Sequence, residues 1–204
     1  DPLLLSRQIA LSQRGSDALP ERADRPAAAR YAMLAVVGAH AVMVSVMAMT
    51  PIHLLHHGAT LTIVGLTISL HIAGMYALSP VFGLLADRWG RLRTIALGYL
   101  ILAASVAVIA LGASDARWVT VALILLGLGW SASTVAGAAL LTEASAPALR
   151  VRRQGRNDAA MSLLGALGAI AAGGILGWIG FEGLALLTLP VILLVVALAP
   201  FGRR

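Results

Sequence analysis

Six long segments without a charged side chain restrict the folds that are open to this sequence. They run approximately over residues 31–50, 61–84, 94–111, 118–141, 159–179 and 183–199, and none contains Asp, Glu, Arg or Lys. A helix needs about 20 apolar residues to cross the hydrocarbon core of a bilayer, whereas a barrel strand needs about 10 with alternating polarity. The segments are too long for barrel strands. The pattern therefore predicts an all-α membrane protein built as a bundle of six transmembrane helices.

The composition supports the same class of protein and argues against several functions. Only 12% of the 204 residues are charged, whereas about a quarter of the residues of a soluble domain are charged. The chain contains no cysteine, so it can form neither a disulfide nor a thiolate metal site. It also lacks a Gly-Lys-Ser/Thr loop for nucleotide phosphates. We expect no enzymatic chemistry, no cofactor and no nucleic-acid partner.

The arginines predict how the bundle is oriented, because cytoplasmic loops carry an excess of basic residues. If residues 1–30 lie in the cytoplasm and six spans follow, only Arg117 falls in an outer loop. The other fourteen arginines then lie on the cytoplasmic side: Arg7, Arg14, Arg22, Arg25, Arg30, Arg88, Arg91, Arg93, Arg150, Arg152, Arg153, Arg156, Arg203 and Arg204. Both chain ends are therefore expected in the cytoplasm.

Residues 1–30 have a different composition from the rest of the chain. They are polar, with five arginines among three aspartates and Glu21. We interpret them as a cytoplasmic linker that precedes a transmembrane domain of residues 31–204, and a disordered tail is the alternative. The chain begins with Asp1 rather than Met, so we expect it to be part of a longer protein.

A short charged hairpin joins the second and third apolar segments. Its sequence is Gly83-Leu84-Leu85-Ala86-Asp87-Arg88-Trp89-Gly90-Arg91-Leu92-Arg93. This resembles the signature loop of the major facilitator superfamily, Gly-x-Leu-Ala-Asp-Arg-x-Gly-Arg, and it matches at Gly83, Leu85, Ala86, Asp87, Arg88, Gly90 and Arg91.

The resemblance implies an architecture and a location. Six spans led by a charged linker resemble the C-terminal half of a twelve-helix major facilitator transporter. The missing N-terminal half of the same transporter would then be a partner, because the solute site lies at the midplane between two halves that rock against each other. The implied location is a plasma membrane, of the bacterial inner-membrane kind.

The resemblance also implies a conformational gate at the cytoplasmic face. In the family the signature loop packs against the end of a neighbouring helix through charged pairs. This suggests that Asp87, Arg91 and Glu143 hold one conformation shut and part during the cycle. Gly83, Arg88, Gly90 and Arg153 complete the predicted gate. A solvated anchor that only sets topology is the alternative.

Two expectations about the hairpin follow from the residues themselves. Asp87 can cap the free N–H groups at the start of the third span, and Arg91 lies within its reach four residues on. Gly83 and Gly90 would allow backbones to approach closely.

Two histidines lie near the middle of the membrane, His40 in the first span and His71 in the second. A polar group at that depth has to face a cavity or a partner helix, because lipid cannot satisfy it. We predict that His71, together with His40, lines the pathway and binds solute or a proton. A hydrogen bond to a neighbouring helix is the alternative for each.

Three further side chains are assigned to the same pathway. Trp130 lies at the centre of the fourth span among small residues, where its ring can stack on an aromatic or cationic solute, with ordinary packing as the alternative. Met43 and Met47 share a helical face with His40. A soft-metal path along this face lacks cysteine or acidic ligands, so we predict no metal site.

Small residues in the fifth span recur every four positions, at Gly165, Ala169, Gly173 and Gly177. Such a stripe allows another helix to pack closely. The resemblance places this helix at the interface between the halves.

The leading functional hypothesis is secondary active transport of a small organic solute by alternating access. We expect proton coupling, as in an antiporter that exports drugs or metabolites. The alternatives are an intramembrane serine hydrolase, in which Ser131 and His71 would lie within hydrogen-bond reach, and a six-helix half-transporter that acts as a dimer. The residues do not identify the solute, the direction of transport, the coupling ion or the oligomeric state.

Overall fold

The computed structural model describes residues 23–203 and contains only helices within that range. Residues 1–22, most of the predicted linker, and Arg204 lie outside the described residues. The helices are α1 (Pro26–His56), α2 (Leu61–Tyr76), α3 (Ser79–Trp89), α4 (Arg91–Gly112), α5 (Ala116–Ala144), α6 (Pro147–Leu186) and α7 (Leu189–Ala197), followed by a short 3-10 helix (Ala199–Arg203).

Prolines mark the start of several helices. Pro26 opens α1 and Pro147 opens α6, where a missing N–H costs nothing and a fixed φ favours the helix. As a result α1 begins five residues before the predicted span and includes residues 26–30, which the sequence assigns to the linker. α6 likewise begins 12 residues before the predicted fifth span, so that a helical extension carries its arginines beyond the apolar segment.

Within residues 23–203, five helical stretches are long and apolar enough to cross a membrane. They are Pro26–His56, Leu61–Trp89, Arg91–Gly112, Ala116–Ala144 and Pro147–Ala197. The second stretch combines α2 and α3, and the last combines α6 and α7. The chain is therefore built as the predicted all-helical membrane protein, although one stretch replaces the last two predicted spans.

The fifth stretch is far longer than one membrane crossing. Its 51 residues would extend about 75 Å as a single helix, against about 30 Å of hydrocarbon. Gly180 interrupts the helix with φ 75° and ψ 179°, a backbone conformation that residues other than glycine rarely adopt. The interruption divides the chain from residue 147 onward into a first arm, residues 147–179, and a second arm, residues 181–203, which includes the 3-10 helix.

Contacts with α1 reveal the direction of the two arms. In the first arm, Gly165 lies against His40 and Gly168 lies against Ser45, so this arm runs parallel to α1. In the second arm, Phe181 stacks on His53, whereas Gly202 lies against Tyr31 at the opposite end of α1. The chain therefore reverses at Gly180, and the second arm returns antiparallel to α1.

The helix α5 lies at the centre of the bundle and packs against α1, α2 and α4. At its crossing with α2 the backbones meet directly. A Cβ atom on Gly127 would lie 2.4 Å from the carbonyl oxygen of His71, and one on Gly74 would lie 2.9 Å from the carbonyl oxygen of Ile124. Only glycine fits at this separation, so the α2–α5 crossing is fixed by two residues without side chains.

Neutral hydrogen bonds hold the apolar helices in register. The Tyr99 hydroxyl on α4 donates to the Ala35 carbonyl on α1 at 2.7 Å, and the Ser105 hydroxyl donates to the Ala122 carbonyl on α5 at 2.7 Å. All four residues lie within the membrane-crossing stretches. Because lipid offers no competing partner there, such bonds orient helices that the hydrophobic effect alone would not.

Candidate functional site

The charged hairpin is a turn of one residue between two helices. α3 ends at Trp89, α4 begins at Arg91, and Gly90 between them has φ 96° and ψ 148°. Glycine is needed at this position for its backbone conformation rather than for packing, since no packing neighbour among residues 23–203 lies within 4 Å of where a Cβ would be. At Gly83 the nearest such atom is 3.9 Å away, on Val135. The prediction that both glycines allow close backbone approach is therefore wrong.

Arg91 connects this hairpin to the C-terminal end of α5. Its Nη1 pairs with Asp87 across the turn, and its Nη2 and Nε donate to Glu143 Oε1 at 2.8 and 3.1 Å. The predicted contact between Asp87 and Arg91 is thus present, and Glu143 joins it. The predicted cap is wrong, because no side chain caps the start of α4 and Asp87 is occupied by Arg91.

We call Arg91, Asp87 and Glu143 the Arg91 cluster. The solvent exposure of these side chains limits the strength of the ion pairs between them. The side chain of Arg91 is 20% exposed, that of Glu143 33% and that of Asp87 63%. Partly solvated ion pairs contribute about 1 kcal/mol or less each. The cluster can therefore break and reform at a modest free-energy cost. Arg88, beside it in the hairpin, is exposed.

Arg153 belongs to a second ion pair, which the sequence did not predict. Its Nη1 and Nη2 donate to the two carboxylate oxygens of Asp24 at 2.6 and 2.8 Å, and its Nη1 also donates to Ser145 Oγ at 3.1 Å. The hydrogen bond with Arg153 holds the pKa of Asp24 below its usual range. Arg153 is thus bound to Asp24 rather than to the Arg91 cluster with which the sequence grouped it.

Asp24 has a structural role that sequence reasoning missed. Its carboxylate accepts a hydrogen bond from the backbone N–H of Ala146 at 3.1 Å. The backbone N–H of the following residue, Arg25, donates to the Ala144 carbonyl at 2.9 Å. The residues before α1 are thereby attached to the connection between α5 and α6. Nothing in a polar stretch of mixed charge distinguishes Asp24 from its neighbours in sequence.

His71 is fully buried between α2 and α5. Its Nδ1 lies 2.8 Å from the carbonyl oxygen of Leu123, and its Nε2 has no hydrogen-bond partner among residues 23–203. A carbonyl oxygen only accepts, so Nδ1 carries the proton and Nε2 is a bare acceptor in apolar surroundings. This geometry matches the alternative interpretation, a histidine hydrogen-bonded to a neighbouring helix.

His40 has a different environment, between α5 and the first arm of α6. Trp130 Nε1 donates to His40 Nδ1 at 3.3 Å, and Tyr76 meets the Trp130 ring edge-on with centroids 6.0 Å apart. On the other side, His40 Nε2 approaches Gly165 so closely that a Cβ there would lie 2.9 Å away. His40 and Trp130 are both half-buried and Tyr76 is 60% exposed. We call His40, Trp130 and Tyr76 the aromatic cluster.

The remaining predicted pathway residues have packing roles. Met43 is 5% exposed and belongs to the apolar core, and Met47 packs against that core. Within the described part of the chain, no group of three or more His, Asp and Glu residues is arranged to hold a metal ion. Tyr76 was missed because it ends α2 after an apolar run, with no pattern that points to Trp130.

The stripe of small residues divides along its length. Gly165 is buried against His40, and Ala169 is half-buried. At Gly173 and Gly177 no packing neighbour from the described residues lies within 4 Å of a Cβ position. Residues four apart drift by about 40° per step around a helix of 3.6 residues per turn. The stripe therefore starts on the face toward α1 and ends on an open face.

The geometry does not support the serine hydrolase alternative. Ser131 Oγ is buried, and in the described part of the chain neither it nor His71 Nε2 has a hydrogen-bond partner. A nucleophile and its base have to lie within hydrogen-bond reach of each other. Ser131 and His71 do not form such a pair.

Comparisons with known proteins identify the family. Residues 32–203 match the family model of the Major Facilitator Superfamily. Two relatives from Bacillus subtilis (strain 168), described as uncharacterized MFS-type transporters YddS and YdeG, are 37% and 35% identical over 85% and 100% of this chain, and over 41% and 49% of their own length. The riboflavin transporter RfnT of Brucella anthropi is 36% identical over 78% of this chain and 40% of its own length.

These matches agree with the helices and the hairpin. The chain spans less than half the length of these three relatives. Its relatives are described as transporters, which carry solutes across membranes. With five membrane-capable helical stretches and the signature hairpin, this chain is an integral membrane protein that belongs to the Major Facilitator Superfamily.

Proposed function

We propose that the chain is the six-span C-terminal half of a proton-coupled secondary transporter that moves a small organic solute by alternating access. The reversal at Gly180 supports six crossings, because each arm of the fifth stretch is long enough for one. The relatives' greater length supports a missing half, and the fourteen inner arginines support cytoplasmic ends in a bacterial plasma membrane. In this proposal the transmembrane domain begins at α1 and performs no covalent chemistry.

The hydrogen bond between Trp130 and His40 carries the proposal of proton coupling. An indole N–H only donates, so His40 Nδ1 has to be an unprotonated acceptor in this state. A proton that arrives at Nδ1 turns it into a donor and breaks the bond. Protonation would thus release the Trp130 ring, which couples proton binding to the shape of the pathway.

The Arg91 cluster is the proposed cytoplasmic gate. It joins the hairpin to α5, the helix that also carries Trp130. Because its ion pairs are partly solvated, they bias one conformation without locking it, as an alternating cycle requires. Gly173 and Gly177, on the open face of the first arm, are proposed to contact the missing half.

The aromatic cluster suggests the class of solute. Three rings, those of His40, Trp130 and Tyr76, border one region and offer stacking surfaces rather than charge. Planar heteroaromatic metabolites and drugs fit such a surface. One relative is a riboflavin transporter, so riboflavin is the first compound to test.

The experiment uses the full-length protein in proteoliposomes with an imposed pH gradient, and follows riboflavin by its fluorescence. We expect gradient-driven movement in the wild type and loss of its dependence on the gradient in His40→Gln. The matched control is His71→Asn, which retains a donor at the Nδ1 position and should retain the dependence. Unchanged gradient-driven transport in His40→Gln would contradict the proposed coupling.

A further inference from the structure

The N-terminal parts of α1 and α6, which are cytoplasmic in the proposed orientation, line a basic cavity of about 380 Å³. Arg30 from α1 and Arg152, Arg153 and Arg156 from α6 line it, and no carboxylate does so among residues 23–203. Within that range, Arg153 is the member of this set with an ion-pair partner, Asp24. Three guanidinium groups therefore share one cavity without a neutralising charge in the described part of the chain.

We propose that this cavity binds the phosphate headgroup of an anionic phospholipid from the cytoplasmic leaflet. Like charges around one space repel each other unless an anion lies between them. Guanidinium groups bind phosphate oxygens through paired N–H donors, which makes arginine the preferred partner for such headgroups. Basic pockets between transmembrane helices on the cytoplasmic side are suited to anionic lipids for this reason.

An apolar groove beside the cavity explains why the ligand is a lipid rather than a free anion. The groove has a volume of about 330 Å³ and lies on the neighbouring face of α1. Its walls are Ala27, Arg30, Tyr31, Leu34, Leu198 and Phe201. Arg30 lines both spaces, so the charged cavity and the apolar groove adjoin at its side chain. A molecule with a phosphate and an acyl chain fills both, whereas inorganic phosphate fills only the cavity.

The location of the site favours the same ligand. Arg152 and Arg156 are exposed and lie one turn apart, on the part of α6 that precedes its apolar segment. In the orientation of the proposed function, on which this placement rests, this end lies at the cytoplasmic surface beside the phospholipid headgroups. The site thus uses residues outside the proposed gate and the aromatic cluster, with Arg153 as a shared border.

The experiment measures lipid binding to the full-length protein in nanodiscs by native mass spectrometry. Phosphatidylglycerol is the probe and phosphatidylcholine the neutral reference. We expect preferential retention of phosphatidylglycerol by the wild type. Reversing one charge with Arg156→Glu should lower its affinity roughly thirty-fold, at about 1 kcal/mol per unit charge.

Arg93→Glu is the matched control, because Arg93 is an exposed arginine on the same side but outside the cavity. It should change the affinity by less than about threefold, since screening limits distant charges. Glycerol phosphate, which lacks acyl chains, should not displace the lipid. Equal effects of Arg156→Glu and Arg93→Glu, effective displacement by glycerol phosphate, or no preference for phosphatidylglycerol would each overturn the proposal. The last result is expected if residues 1–22 or the missing half fill the cavity.

Discussion

His40 and His71 look equivalent in the sequence, yet the fold gives them opposite environments. Both lie in apolar spans near mid-membrane. His71 is fully buried between two helices, and its Nδ1–H donates to the Leu123 carbonyl. His40 is half-buried beside Trp130, and its Nδ1 accepts the hydrogen bond that the Trp130 indole donates. His71 can gain a proton only at Nε2, which is buried and has no hydrogen-bond partner among residues 23–203. His40 can gain one at Nδ1, the nitrogen that accepts the hydrogen bond from Trp130.

The difference teaches that depth in the membrane does not decide the role of a polar residue. The role of each histidine depends on which ring nitrogen forms a hydrogen bond, and on whether the partner is a donor or an acceptor. A carbonyl partner fixes the proton on the histidine, while an indole partner excludes it. The comparison therefore assigns a structural role to His71 and proposes a proton-responsive role for His40.

The largest expected effect comes from forcing apart the α2–α5 crossing in which His71 is buried. Gly127→Ala places a Cβ 2.4 Å from the His71 carbonyl oxygen, and backbone rather than a flexible side chain has to move. We expect a loss of about 1–3 kcal/mol in the free energy of unfolding, as for other overpacked sites. Gly65→Ala, on the same helix as His71, is the control, because among residues 23–203 no atom of another helix lies within 4 Å of its Cβ position. Thermal unfolding in detergent measures both, and equal midpoints would contradict the tight crossing.

A smaller effect on stability should separate the two histidines themselves. His71→Leu removes a buried interhelical hydrogen bond, worth about 0.6–1.7 kcal/mol in a membrane protein. His71→Asn restores a donor and should recover part of the loss. His40→Leu should cost less, because its bond is longer and half-buried, and water can replace it. If His40→Leu is the more destabilising of the two leucine variants, the assignment of roles is reversed.

The smallest expected effect is the contribution of the ion pair between Asp24 and Arg153 to stability, which depends on pH. The pKa of Asp24 is lowered in the folded protein, mainly by its hydrogen bond with Arg153. Its contribution to stability is therefore fully present above the unfolded pKa of about 3.9, and is lost as the pH falls through the folded value. Asp24→Asn should thus destabilise the protein slightly at neutral pH, and by progressively less as the pH falls below the unfolded pKa of the carboxyl. A difference between wild type and variant that grows as the pH falls would contradict this.

The helical class and much of the hairpin could be predicted from the sequence, because both depend on local signals. Uncharged runs predict spans by length alone, and Asp87 reaches Arg91 through local spacing. The limits of the helices were less predictable. Proline at a first helical position extends α1 and α6 outward, and a single glycine at position 180 replaces a loop.

Contacts between distant residues account for what the sequence did not predict. Asp24 and Arg153 are 129 positions apart and Tyr76 reaches Trp130 on another helix. The choice between the two interpretations of His71 likewise depended on a carbonyl 52 positions away. Residue type indicates that a polar group needs a partner, but only the fold determines which partner it has.

The most direct test of the contrast between the histidines is the fluorescence of Trp130 as a function of pH. Trp89, Trp118 and Trp178 are replaced by Phe, so that Trp130 is the one indole in residues 1–204. Any tryptophan in the proposed missing half is replaced likewise. We expect a reversible transition, because protonation of His40 breaks the bond from Trp130 Nε1. It should disappear in His40→Gln and persist in His71→Asn. A transition that persists in His40→Gln, or that disappears only in His71→Asn, would contradict the account.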